Sequence, residues 1–224
     1  MLFEKNSYLE QIELWCASHN PSLTLSYQVP LLGEGGTCSL FGELDETPFD
    51  LASQLHEHEL QVLKQVQSVV DWVHNNTKVD WFGVYLARDN SASERVLTKL
   101  SYFGKPSRAE FPLNEEFSKI SNNVTVALTG HHKIINDVSE YRANGGEYYT
   151  CDPKVQSELC WPIFSAPNNC LQNNNNNNLV QTSPNQKIVG IIDAECFATD
   201  SFDEQTQQKL AAVCTKLSNL LSLH

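Results

Sequence analysis

The chain reads as an α+β domain, an antiparallel sheet with helices packed on one face. Three observations predict this. The strand-like runs 79–87 and 95–103 are joined by the short turn Asp89-Asn90-Ser91, which favours antiparallel pairing. The run Ile188–Cys196 carries Ile188, Val189, Ile191 and Ile192, so it reads as a central strand buried on both faces. Helical periodicity falls in two segments before the strands and one after them, which is the order of an α+β fold.

The elements follow in turn. Tyr8, Leu9, Ile12, Trp15 and Cys16 mark one face of a helix that ends at Asn20-Pro21. Residues 21–46 have no clear period and hold Gly33, Gly35 and Gly36, so they read as loop or short extended pieces on the surface. Thr47-Pro48-Phe49-Asp50 has the residues of a helix start, and Leu55, Val62, Val66, Val69 and Val73 continue that helix to about His74. In the next strand Trp81, Gly83 and Tyr85 share one face, and Phe82, Val84 and Leu86 share the other. Packing against a helix and lining a pocket are both open to Trp81 and Tyr85. Residues 104–130 read as a short strand, a loop and a short helix. Lys133–Asn136 is a short strand closed by Asp137, and Ser139–Tyr149, with Gly145-Gly146, is expected to be a lid or turn. In the strand Leu159–Phe164, Pro162 predicts an edge or a bulge. Residues 166–186, with the tract Asn173–Asn178, read as a mobile insertion in a hairpin. The last helix opens at Phe202-Asp203-Glu204 and buries Leu210, Val213, Leu217 and Leu221. The expected organisation is an N-terminal helix-and-loop elaboration over 1–46 and the main domain over 47–224.

Bulk composition narrows the function. A formal net charge of −12 over 224 residues argues against a nucleic-acid backbone or an anionic membrane as partner. No apolar run approaches the roughly 20 residues of a membrane span, and residues 1–6 lack the pattern of a secretory leader. A cytoplasmic home is expected. Seven cysteines, an odd number without a C-x-x-C pair, read as reduced thiols and not as disulfides or a zinc site. His56 and His58 read as surface residues, and no metal site is expected.

Two stretches carry the chemistry. Cys151-Asp152 stands seven residues before Glu158, and Asp193 and Glu195 alternate on a strand with Ile192 and Ala194. Residues two apart on a strand share a face, so Asp193 and Glu195 point the same way. Two like charges on a core strand are costly unless something positive or protonated meets them. A thiol and three carboxylates aimed at one hollow would suit a small polar substrate.

The ordered set Trp81-Phe82-Gly83-Val84-Tyr85, Gly104-Lys105, Ile135-Asn136-Asp137-Val138, Cys151-Asp152 with Ser157-Glu158, and Val189-Gly190-Ile191-Ile192-Asp193-Ala194-Glu195 resembles the free methionine-(R)-sulfoxide reductase family of GAF domains over residues 50–222. The resemblance implies a GAF-like fold and reduction of free L-methionine (R)-S-oxide with no bound cofactor. It implies an external thiol reductant such as thioredoxin, and relatives of this kind are often homodimers. By position, Cys151 matches the attacking cysteine, Glu158, Asp193 and Glu195 the pocket carboxylates, and Trp81 and Tyr85 the aromatics beside the methyl end. The family's resolving thiols are replaced by Arg108 and by Ser121-Asn122-Asn123-Val124. Cys160 and Cys196 are then the internal candidates for a resolving thiol. The alternative is a non-catalytic GAF module that binds a small amino-acid-like metabolite. A plainer reading leaves the carboxylates merely solvated.

Overall fold

In the computed structural model, residues 2–33, 42–166 and 186–222 are described. The chain begins with helix α1 (Leu2–Ser18) and the short pair β1 (Ser26–Tyr27) and β2 (Phe49–Asp50). Helix α2 (Glu57–Asn76) follows, then strands β3 (Trp81–Asp89), β4 (Arg95–Phe103) and β5 (Glu110–Pro112). Helices α3 (Glu115–Ser118) and α4 (Asn122–Thr129), strand β6 (Lys133–Ile135) and helix α5 (Val138–Ala143) lead to β7 (Ser157–Phe164), β8 (Ile188–Cys196) and helix α6 (Glu204–Leu221). Six strands form one antiparallel sheet in the order β5-β4-β3-β8-β7-β6. β8 is the last strand in sequence, yet it lies between β3 and β7.

The sheet's two faces do different work. Phe82, Val84, Ile192, Ala194 and Leu159 point to a core shared with Ile12, Val66, Val69, Val73, Leu210, Val213 and Leu217. The three long helices α1, α2 and α6 thus cover one face, as the apolar periodicity predicts. The second face carries a smaller cluster with Trp81, Tyr85, Ile191 and Cys160, closed by Val124, Val126 and Ala127 of α4. The candidate residues other than Cys196 lie on this second face. Helix α1 belongs to the main core, since Ile12 is fully buried there and Trp15 Nε1 donates to Ser68 O at 2.9 Å.

Two expected elements are corrected. The helix predicted to start at Thr47 starts at Glu57 instead. Phe49 and Asp50 pair with Tyr27 and Ser26, and the Phe49 and Tyr27 rings lie 5.4 Å apart. Long-range strand pairing overrides the local capping signal. The true start is marked by Glu59, whose carboxylate accepts from the His56 N–H at 2.7 Å. In the segment read as a lid or turn, Ser139–Tyr149, the first five residues belong to helix α5 and Asn144-Gly145 form a turn. Asp137 Oδ1 caps the helix by accepting from Ser139 N at 2.8 Å and Glu140 N at 3.0 Å.

Other expectations hold. β4 spans the expected Arg95–Phe103, and Asp203 caps α6 through Thr206 N at 2.7 Å. Pro162 lies where β7 has no partner on the β6 side, because that pairing stops at Cys160. β7 and β8 form the expected hairpin, tied at its base by Ser165 N to Lys187 O at 2.7 Å. The Asn173–Asn178 tract within it lies outside the described residues.

Gly190 is where β8 and β3 come closest. A Cβ there would lie 2.1 Å from the backbone oxygen of Tyr85. Both strands are paired on each side, so neither can give way. Gly190→Ala is expected to cost about 3 kcal/mol or more, or to abolish soluble expression. Urea unfolding followed by far-UV circular dichroism checks this.

Candidate active site

Register builds the site. Glu158, Glu195 and Trp81 lie side by side across β7, β8 and β3, and Cys160, Asp193 and Gly83 form the adjacent row. The pleat turns both rows to the second face. The alternation that puts Ile192 and Ala194 in the helical core therefore puts Asp193 and Glu195 on the opposite side.

Trp81 floors one end. Its indole lies across Gly83 and Gly104, where added Cβ atoms would approach to 2.4 Å and 2.5 Å. The room that Gly83 clears is thus filled by Trp81 itself. The Trp81 Nε1–H donates to Lys105 O at 2.9 Å, which fixes the ring. Tyr85 is 1% exposed, and its hydroxyl donates to Arg108 O at 3.3 Å.

Helix α4 supplies the opposite wall. Ser121 caps it, accepting from Val124 N at 3.4 Å, and the first two helical residues, Asn122 and Asn123, are buried. Asn122 Nδ2 donates to Glu158 Oε1 at 3.2 Å, and Asn123 Nδ2 donates to Asp193 Oδ2 at 2.8 Å. The positive end of the helix faces the acids. Cys151 enters from the irregular segment after α5, beside Tyr149, whose ring meets Phe111 and Phe117 at 5.6 Å each.

These groups enclose one hollow. Its walls include Cys151, Glu158, Asp193, Glu195, Trp81 and Tyr85, so six sequence candidates meet there. The free space is about 20 Å³, room for roughly one ordered water. An amino acid enters only if the wall yields, and Cys151 and Tyr149 stand on the part of it outside the sheet.

Burial sets the electrostatics. Glu158 and Asp193 are each 5% exposed. Burial raises the Glu158 pKa, against the pull of its hydrogen-bond donors. Burial and then the Glu158 charge push Asp193 well above the usual carboxylate range, opposed by Asn123 and Lys99. Lys99 is fully buried behind the site. Its ammonium donates to Ser107 O at 2.8 Å and Ser107 Oγ at 2.7 Å, and lies 3.9 Å from the centre of the Tyr102 ring. Among the described residues, Asp193 Oδ1 and Asn123 Oδ1 are buried without a hydrogen-bond partner. Two orphaned acceptors side by side call for a donor-rich group such as an ammonium.

The candidate resolving thiols do not join the site. Cys196 points to the helical core, because residue 196 alternates with Glu195. Cys160 neighbours Asp193 on the correct face but is fully buried, is not part of the cavity wall, and has its thiol pKa pushed well up by burial and by the Asp193 charge. Among the described residues no group of three or more His, Cys, Asp or Glu side chains could hold a metal ion. No described helix is long and apolar enough to cross a membrane.

Sequence reading missed Ser107, Phe111, Ser121, Asn122, Asn123 and Tyr149 as wall residues. The available signal was polar: two asparagines opening a helix whose next residues, Val124 and Val126, are core.

No family model matches the chain, and no curated protein matches it. Solved structures do. A free methionine-R-sulfoxide reductase from Neisseria meningitidis, in complex with its substrate, aligns with a TM-score of 0.57 at 14% identity, over 97% of this chain and 87% of that one. A type II free methionine-R-sulfoxide reductase from Thermoplasma acidophilum aligns with a TM-score of 0.53 at 17% identity, over 73% and 94%. The GAF domain of an Acinetobacter phosphoenolpyruvate-protein phosphotransferase gives 0.55 at 12% identity, over 98% and 94%. At such identities the shared property is the fold, and this chain has the GAF fold.

The raised carboxylates give a pH prediction. A carboxyl whose folded pKa is raised stabilises the fold fully below the unfolded value of about 3.9, and that contribution is lost as pH rises through the folded pKa. Asp193→Asn, neutral throughout, should therefore melt above the wild type at pH 7, with the gap closing near pH 4. Thermal melts across that range check the sign, and a variant that melts lower at pH 7 would mean that ionised Asp193 is fully compensated.

Proposed function

We propose that the chain reduces free L-methionine (R)-S-oxide to methionine, with Cys151 as the attacking thiol. The observation that carries the reading is the convergence of Cys151 and three acids on one hollow that holds two orphaned acceptors. The coupled Glu158–Asp193 pair keeps one proton near neutrality, because two buried carboxylates this close resist double ionisation. That proton goes to the sulfoxide oxygen as the Cys151 sulfur attacks the substrate sulfur. The thioether leaves and the oxygen remains on Cys151 as a sulfenic acid. The unprotonated member of the pair and Glu195 hold the substrate ammonium. Trp81 and Tyr85 wall the S-methyl end, where sulfur–aromatic contact is favourable.

Two features support this over other substrates. The acids and acceptors suit a cation, so a substrate without an ammonium group would leave them unmet. The fold is also one that solved free methionine-R-sulfoxide reductases adopt.

A second reading keeps the pocket and drops the turnover: a GAF module binding an amino-acid-like metabolite. It is favoured by Asn122 and Asn123, which hold two of the acids from the α4 position. The fold is equally that of a phosphotransferase GAF domain.

Incubation with free methionine (R)-S-oxide and dithiothreitol, with methionine quantified by chromatography, separates the two. The reductase reading expects turnover that falls by a factor of about 10³ or more in Cys151→Ser. Saturable binding without turnover, unchanged in Cys151→Ser, would establish the module instead. Asn123→Ala should weaken substrate binding about tenfold, by removing the amide that orients Asp193, with less effect on the folded state. The ratio of KM to melting temperature change checks it.

A further inference from the structure

A second, larger hollow of about 440 Å³ adjoins the first. Trp81, Ser107, Cys151 and Glu195 belong to the walls of both, so the Cys151 sulfur's residue divides an inner chamber from an outer one. The outer walls are Pro30 and Leu44 from the N-terminal segment, Pro106, Phe197, Lys105 and Lys154.

We propose that this outer chamber binds the reductant, a low-molecular-weight thiol of tripeptide size that carries carboxylate groups. The inference rests on the reductase reading above. The volume falls within the roughly 300–1,000 Å³ of small-molecule sites. Proline, leucine and phenylalanine surfaces bury the thiol's stem, and two ammonium groups meet its carboxylates. Asp152 holds the Lys105 ammonium and the Lys154 backbone. Asp152 Oδ2 lies 3.0 Å from Lys105 Nζ, and Asp152 Oδ1 accepts from Lys154 N at 2.9 Å. Asp152 is itself 8% exposed, so it is a built anchor beside Cys151 and not a surface contact.

Among the described residues no second thiol stands beside Cys151. Cys160 is sealed inside the sheet's second face, and Cys16, Cys196 and Cys214 pack with the helical core. In this proposal, reducing equivalents arrive through the outer chamber. The first thiol attacks the Cys151 sulfenic sulfur, forms a mixed disulfide and releases water. A second thiol attacks that disulfide at the bound thiol's sulfur, which frees the Cys151 thiol and leaves the symmetric disulfide. Two thiols are oxidised for each sulfoxide reduced, so electrons and oxygen balance.

Glutathione is the probe. At fixed free methionine (R)-S-oxide, the rate should saturate with glutathione, and Lys154→Glu should raise its KM fivefold or more while leaving the dithiothreitol-supported rate unchanged. Leu44→Glu, at an exposed position, should act in the same direction. Independently of turnover, glutathione disulfide should glutathionylate Cys151 in the wild type, seen by intact mass, and several-fold more slowly in Lys154→Glu. A rate that stays linear in glutathione overturns the proposal, as does a glutathionylation rate unaffected by Lys154→Glu. So does turnover with reduced thioredoxin when glutathione is inert. If dithiothreitol supports no turnover, the reductase reading falls and the glutathionylation rates alone decide the outer chamber.

Discussion

The register of β8 between β3 and β7 governs the molecule. This strand is hydrogen-bonded on both sides, and its alternation sends Ile192 and Ala194 into the helical core and Asp193 and Glu195 to the opposite face. A slip of one residue would drive two acids among Leu210, Val213 and Leu217 and move Ile192 and Ala194 to the site face. Fold and site are therefore specified by the same pairing.

That pairing imposes an electrostatic cost which the rest of the second face offsets. Two buried carboxylates raise each other's energy, and the responses are local: amides from the first turn of α4, the positive end of that helix, and buried Lys99 braced on Ser107. The compensation is incomplete, because one oxygen of Asp193 and one of Asn123 stay unmatched. A folded protein retains such a debt where a ligand settles it.

Much of this was legible in the chain. Period-two patterns gave β3 and the acid-bearing part of β8 with their faces, since each residue's side of the sheet follows from counting, and the short turn gave β4. The three acids and the thiol were found because unusual polarity beside apolar runs is conspicuous, whereas Trp81 and Tyr85 joined them through the family resemblance. What stayed hidden depended on distant partners. Phe49 and Asp50 look like the opening of a helix until Tyr27 and Ser26 claim them as a strand. Asn122 and Asn123 look like ordinary helix-start residues until the acids of β7 and β8 arrive beneath them. Cys196 was a candidate as one of the remaining internal thiols, yet it adjoins Glu195 on a strand and therefore faces the other way.

The hairpin base joining β7 to β8 has one more implication. Ser165 and Lys187 clasp it about 23 Å along the strand from Glu158, since seven residue steps of about 3.3 Å separate Glu158 from Ser165. An insertion between those clasped ends would enter on paired strands remote from Glu158. A fluorescent protein or an epitope tag grafted there would ride on a rigid stem and report on the domain from its far side.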